Sequence, residues 1–366
     1  MGVNFKKGKI NFGIIGGGWR AEFYLRIARE LSDIFNVLGI VDCDKEKGKI
    51  IEKKWGIKTF RTIDEFLKFS NPLFAVAVVP WSATPVVIKQ LVERKIPVLS
   101  ETPPAADMDN LIELYKFYNQ RKGSKVQISE QYPFQPLNNA YISVIESGRL
   151  GTITQAQVSV AHGYHGISMI RKMLNITFED AVITGCNFVS PVIAGPGRSG
   201  PPAKKKIENS AQAIAYIDFG KKLGIYDFTG EQYFSWIRSS RVLVRGERGE
   251  INNTTVKYLK DFKTPIEFEL RRQNAGENGN LEGLYFKGVL AGEEWIYKNP
   301  FIPARLTDDE IAVATSLKKM AEYVQTGKSF YSLAEASQDR YLDLMISKAI
   351  ETKESIKTSK QLWAGK

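Results

Sequence analysis

The sequence is poor in the residues that most often carry chemistry alone: it has two cysteines and two histidines in 366 residues. Cys43 and Cys186 cannot form a disulfide framework and neither sits in a metal-ligand spacing, which excludes a disulfide-stapled secreted scaffold and a cysteine-ligated zinc domain. Long apolar runs are also missing. The longest, residues 73–81, is broken by Pro80 and falls well short of the ~20 residues that span a bilayer. The opening MGVNFKKGKI has no apolar signal core, and Lys6 stands where a myristoylation signal needs Ser or Thr, so a cytoplasmic protein is expected. Acidic residues are outnumbered, giving a net charge of +11. The bases, however, are scattered beside acids, as in Asp44-Lys45-Glu46-Lys47, and no motif that reads nucleic acid accompanies them. They read as solvated helix faces, with neither nucleic acid nor membrane as partner and with an anionic small molecule tolerated.

What is present is a globular composition, 43% hydrophobic and 25% charged, in a chain long enough for two domains. Residues 12–15 form a short apolar run that ends in Gly16-Gly17-Gly18, and an amphipathic helical pattern starts at Ala21. Gly16-x-Gly18-x-x-Ala21 is a dinucleotide fingerprint. Its first glycine permits the tight turn, its second lets backbone approach a pyrophosphate, and a small third residue lets helix and strand pack closely. Trp19, Arg20 and Ala21 open the helix whose N–H groups face the phosphates. A strand over 37–41 then ends in Asp42, placed to accept hydrogen bonds from ribose hydroxyls and to repel a 2′-phosphate, so NAD is expected rather than NADP. Asp44 competes for that role, and an acid here can also be a helix cap.

Helices follow over 45–54, 63–69, 86–95 and 111–118, alternating with strands over 73–79, 98–100 and 125–129. This is the pattern of a doubly wound parallel sheet. Pro80 and Trp81, and then Glu101 and Thr102, mark carboxyl ends of strands, where such sheets bind ligands. The series of fingerprint, Asp42, Val79-Pro80 and Val98-Leu99-Ser100-Glu101-Thr102-Pro103 resembles the glucose–fructose oxidoreductase/inositol dehydrogenase/MocA (Gfo/Idh/MocA) family. So do Glu130 to Pro136, Gly148-Arg149-Leu150-Gly151, the hairpin over 242–251 and the helix over 333–350. The resemblance covers nearly the whole chain. It implies an α/β protein: a Rossmann domain over 1–127, and an α/β domain over 128–366 with a large, open, mostly antiparallel sheet and C-terminal helices at about 307–360 packing back. It also implies a homodimer or homotetramer through that second sheet.

The two histidines fall three apart in Ala161-His162-Gly163-Tyr164-His165-Gly166, before a helix expected over 167–174. The family carries an Asp and, four residues on, a His at this point. His165 matches the His, but Ala161 stands in the Asp position, and Thr102 replaces the Lys of the family's Glu-Lys-Pro. His165 is the expected acid/base, since a neutral imidazole titrates near pH 6.5. Tyr164 and Thr102 are its expected helpers. Gln131, Tyr132, His162 and Arg171 are expected to line the substrate, Arg171 as a carboxylate partner or as part of a solvated helix face. A structural histidine at 165 and a zinc pair with His162 are the alternatives, and no third metal ligand is evident. The Gly- and Pro-rich loop over 195–206, with Arg198 and Lys204 to Lys206, reads as a surface excursion or as a basic flap.

The implied function is NAD-dependent hydride transfer to or from a sugar, cyclitol or related polyol or sugar acid. The alternatives are an epimerase- or eliminase-type enzyme that retains its NAD, and a non-catalytic sensor of the same shape.

Overall fold

A computed structural model describes residues 8–276, 280 and 283–365, so the stretch around Lys6 lies outside the described residues. The chain divides into two compact units. The first holds Met1–Pro136, Asn274–Lys287 and Asn299–Ser337, and the second holds Leu137–Gln273, Gly288–Lys298 and Gln338–Lys366.

In the first unit, β1 (Ile10–Ile15), β2 (Phe35–Val41), β3 (Thr59–Phe60), β4 (Phe74–Ala77), β5 (Val98–Ser100) and β6 (Val126–Ile128) form one sheet in the order β3-β2-β1-β4-β5-β6. Every pair is parallel. That order reverses direction between β1 and β4, which is where a doubly wound sheet opens a crevice. All four β4 residues are buried, as a strand covered on both faces requires. Phe12 and Phe74 stack at 5.7 Å between ring centroids, and both are fully buried. Burying one such side chain contributes roughly 2–3 kcal/mol.

The helices start where side chains can satisfy their first N–H groups. Asp44 caps α2 (Lys45–Trp55) by accepting from Glu46 and Lys47, and Asp107 caps α5 (Met108–Asn119). The strand expected over 73–79 spans only Phe74–Ala77, and the Val78 N–H just past it still donates to the Ile15 carbonyl of β1 at 2.7 Å. The helix that follows, Thr84–Glu93, starts two residues sooner than expected, with Pro85 in its first turn.

Among the described residues the second sheet has eleven strands. It includes the strands Ile153–Ser159, Val182–Ile193, Ile207–Asp218, Leu223–Thr229 and Arg241–Gly246. Ile153–Ser159 pairs in parallel with Leu223–Thr229, whereas the other described pairs of this sheet are antiparallel. The basic loop expected over 195–206 is the tip of a hairpin of two twelve-residue strands, and Gly197 and Gly200 bridge across it. The architecture is therefore α/β, with one parallel and one mostly antiparallel sheet. Among the described residues no helix is long and apolar enough to cross a membrane.

Candidate active site

The glycine turn sits between β1 and α1 (Ala21–Glu30). Gly16 has φ +104°, and a Cβ there would lie 2.1 Å from the Val78 carbonyl oxygen, so both backbone conformation and space demand glycine. A Cβ on Gly18 would meet nothing within 4 Å beyond its own chain neighbours. The second glycine of the fingerprint thus faces open space at the start of α1, where no side chain caps the helix. A turn backed by protein on one side and open on the other suits an anion seated against backbone N–H groups. Trp19 stands 60% exposed beside this opening, edge-on to Phe23. Trp81 is likewise exposed, in the Pro80 turn after β4.

Asp42 is buried under the same turn. Its Oδ2 accepts the Gly17 N–H at 2.9 Å and lies 2.8 Å from Lys47 Nζ, while its Oδ1 accepts the Asp44 N–H at 2.9 Å. Burial works against its charge, but Lys47 and these N–H groups prevail and hold its pKa below the ordinary carboxylate value. A carboxylate offers about four acceptor positions, which leaves room for one further hydroxyl. Asp44 spends its Oδ1 on the helix cap, accepting the Glu46 and Lys47 N–H groups.

At the carboxyl ends of β5 and β6 the first unit gathers charge. Arg20 Nε donates to Glu101 Oε1 at 2.9 Å and Arg20 Nη1 to Asp309 Oδ2 at 2.9 Å. Burial opposes that guanidinium's charge, and the two acids outweigh it. Arg20 Nη2 is buried without a hydrogen-bond partner. Tyr24 donates to the same Glu101 oxygen at 2.5 Å. Arg20 and Glu101, both expected to touch cofactor, are therefore bound to each other, and Glu101 holds the arginine in place. Glu130 is buried, accepts the Tyr132 N–H at 3.1 Å, and has its pKa pushed well above the ordinary range by burial. Gln131, beside it, is 7% exposed and its Oε1 has no partner. Such an orphaned acceptor is costly unless a ligand or water meets it. Thr102 is half-buried after Glu101.

The histidines belong to the second unit. α7 spans Gly163–Leu174 with His162 as its N-cap, so it begins four residues before the sequence pattern suggests. His162 makes no side-chain cap. The cap is tertiary instead: Tyr226 Oη accepts the Gly163 N–H at 2.8 Å, and the Asp343 carboxylate accepts the Tyr164 N–H. Gly163 has φ +44°, and a Cβ there would lie 2.7 Å from Asp343 Oδ1, so the carboxylate reaches the helix end only because residue 163 is glycine.

Around this cap the ring of His165 lies 4.4 Å from that of Tyr164 and 5.0 Å from that of His162. Tyr233 Oη sits 2.6 Å from His162 Nδ1 and accepts the His162 N–H at 2.9 Å. Burial, His165 and Arg340 lower the His162 pKa to about 4, leaving that ring neutral at pH 7. Burial raises the Asp343 pKa, against the pull of Arg340, with which it is paired, and of His165. His165 is 6% exposed, so any proton it exchanges passes through a small opening. No cluster of three or more His, Cys, Asp or Glu suited to a metal ion occurs among the described residues. Arg171 is buried, ion-paired with Asp339, and donates to the Thr177 carbonyl, so its guanidinium is committed inside the unit rather than facing a substrate or the solvent.

Residues 10–129 match the Gfo/Idh/MocA family model, described as an oxidoreductase family with an NAD-binding Rossmann fold. No curated protein matches the chain. Among solved structures, an oxidoreductase from Agrobacterium radiobacter in complex with NAD+, L-tartaric acid and magnesium aligns with TM-score 0.67 at 12% identity, over 95% of this chain and 98% of that one. A putative myo-inositol dehydrogenase from Sinorhizobium meliloti 1021 aligns with TM-score 0.64 at 15% identity, over 96% and 100%. The WlbA dehydrogenase from Bordetella pertussis in complex with NADH and UDP-GlcNAcA aligns with TM-score 0.63 at 14% identity, over 97% and 100%. At such identities these likenesses show a shared two-sheet fold.

The glycine turn and Asp42 are the groups that could hold NAD, and the open side of Gly18 has room for a pyrophosphate. Sequence reasoning missed Asp343, Tyr226, Tyr233 and Arg340. The only local signal was Gly163, a glycine inside a helix start, which marks a place where something else comes close.

Proposed function

We propose that the chain is an NAD-dependent oxidoreductase moving a hydride to or from a sugar, cyclitol or related polyol or sugar acid. The observation that carries the reading is the glycine turn: Gly16 is closed against Val78, Gly18 is open, and no side chain caps the helix that follows them. Bound NAD supplies the hydride acceptor or donor. The chain itself must take the hydroxyl proton as the carbinol carbon loses its hydride, and return it in the reverse direction. His165 is the base in this reading. Asp343 is the acid that the pattern lacks at Ala161. It comes from the helix Leu333–Thr352, lies at the first turn of α7 where it is electrostatically coupled to His165, and stabilises the imidazolium as the proton arrives. Tyr164 holds the His165 ring from the side. The exposed Phe188, Val189, Ile193 and Ile207 on the second sheet support the expected homo-oligomer.

The test is direct. Calorimetry on the full chain should show NAD binding tighter than NADP, and sugars or sugar acids should then change absorbance at the nicotinamide band. His165→Asn should abolish turnover and leave NAD affinity nearly intact. Bound NAD with no absorbance change on any polyol would remove net redox chemistry from the reading, and unchanged turnover in the variant would remove the base.

A further inference from the structure

The second unit contains a cavity of about 350 Å³ that the chemistry above does not use. Its wall runs from Thr229 through a 3-10 turn, Gly230–Tyr233, to Arg241, with Gln212 opposite. Gln232 fastens that wall. Its Oε1 accepts the Thr229 N–H at 2.9 Å, and its Nε2 donates to Ser159 Oγ at 3.1 Å and to the Ser239 carbonyl at 2.9 Å. The neighbouring residue, Tyr233, is the one bonded to His162. Cavity and imidazole cluster are thus two sides of one turn.

Two guanidinium groups line the cavity, and they differ. Arg241 is neutralised, its Nη2 lying 2.6 Å from Asp227 Oδ2, while Gln212 donates to the other Asp227 oxygen. Arg238 makes no ion pair among the described residues, and its Nε is buried without a hydrogen-bond partner. Glu231 feels its charge, which helps hold the Glu231 pKa down, but stands beyond pairing distance. A buried cationic N–H with no acceptor is unfavourable until an acceptor arrives, and the guanidinium edge matches a carboxylate in two parallel hydrogen bonds. The base of the basic loop lies against the same wall, since a Cβ on Gly195 would come 3.8 Å from the Ser235 Cα. Arg198, Lys204, Lys205 and Lys206 follow on that loop, and Lys206 is paired with Glu208.

We propose that this cavity is the subsite for the carboxylate of a hydroxylated acid, with Arg238 as the residue that selects acids over neutral polyols. The inference rests on the reading of the imidazole cluster as the reacting end of the site, and it narrows the substrate class from polyols at large to sugar acids. Arg241, Asp227 and Gln232 are positioning residues that keep the wall in shape.

The experiment compares acids with their uncharged alditols on the full chain saturated with NAD: D-gluconate against D-sorbitol, and D-galactonate against galactitol, by calorimetry at two salt concentrations. Wild type should bind at least one acid about tenfold or more tightly than its alditol, an advantage that salt weakens. Arg238→Gln should reduce the acid to the alditol's affinity, with melting temperature and NAD affinity unchanged. Arg238→Lys, which keeps the charge and loses the fork, should fall between them. Acids bound no better than alditols by wild type, or acid affinity unchanged in Arg238→Gln, overturns the subsite. The redox reading fails by a different route, through lost NAD binding or a silent nicotinamide band, so the two failures are distinguishable.

Discussion

The two units build their chemistry from different materials. In the first, the nucleotide turn is made of backbone: three consecutive glycines, one helix start, and a carboxylate two strands' length away in the chain that accepts the Gly17 N–H. In the second, the histidine cluster is made of side chains carried by separate elements, with Tyr226 from a sheet strand, Tyr233 from a 3-10 turn and Asp343 from a late helix. A backbone site tolerates any side chain that stays out of its way and fails at single positions where a Cβ cannot fit. A side-chain site is spread over the fold, and each member can be altered without collapsing the rest.

The largest test of this contrast uses two glycines two residues apart. Gly16→Ala places a methyl 2.1 Å from the Val78 oxygen at φ +104°, and should cost about 2–5 kcal/mol of stability together with NAD binding. Gly18→Ala meets open space and should cost under about 1 kcal/mol in melting experiments while reducing NAD affinity about tenfold or more. Equal melting temperatures for the two variants would break the distinction.

Next in size is Asp343→Asn, which keeps the shape of the cap and removes its charge. Turnover should fall roughly 10- to 100-fold with NAD affinity unchanged. The acidic limb of the kcat/KM profile should move to lower pH, because His165⁺ loses a nearby negative charge; Arg340, His162, Tyr226 and Tyr233 face the same spot and stay in place. A profile that does not move would reduce Asp343 to a helix cap.

The smallest effects concern pH, and they have opposite signs in the two units. Burial raises the Glu130 pKa, so its contribution to stability is complete below its unfolded value near 4.5 and is lost as pH rises through the raised folded value. Glu130→Gln should therefore flatten the loss of stability on the alkaline side. His162 has its pKa lowered from 6.5 to about 4, so its contribution is complete above 6.5 and is lost as pH falls toward 4. His162→Gln should flatten that acid-side loss. Denaturant melts of both variants across pH 4–8 read the two slopes, and slopes of one sign would overturn the assignment.

The legibility of the sequence follows the same division. The fingerprint, Asp42 and the β5 ending were readable because strand, turn and helix are contiguous, and each glycine announces its backbone constraint. The start of α7 was not readable. Gly163 argues against a helix, and the groups that cap it, Tyr226 and Asp343, are remote in the chain. Arg171 could be placed on a helix but not on a face, since nothing near it in sequence points to Asp339, its buried partner. The cavity beside Arg238 lies in a stretch of turns and loops where periodicity is silent.

One bond of the α7 cap reaches beyond catalysis. The Tyr164 amide is held by a carboxylate on the Leu333–Thr352 helix, not by a carbonyl of its own turn. Its hydrogen–deuterium exchange will follow the detachment of that distant helix, while the amides deeper in α7 answer to their own ladder. A single protected proton next to the imidazole would thereby report whether the chain's last long helix is seated.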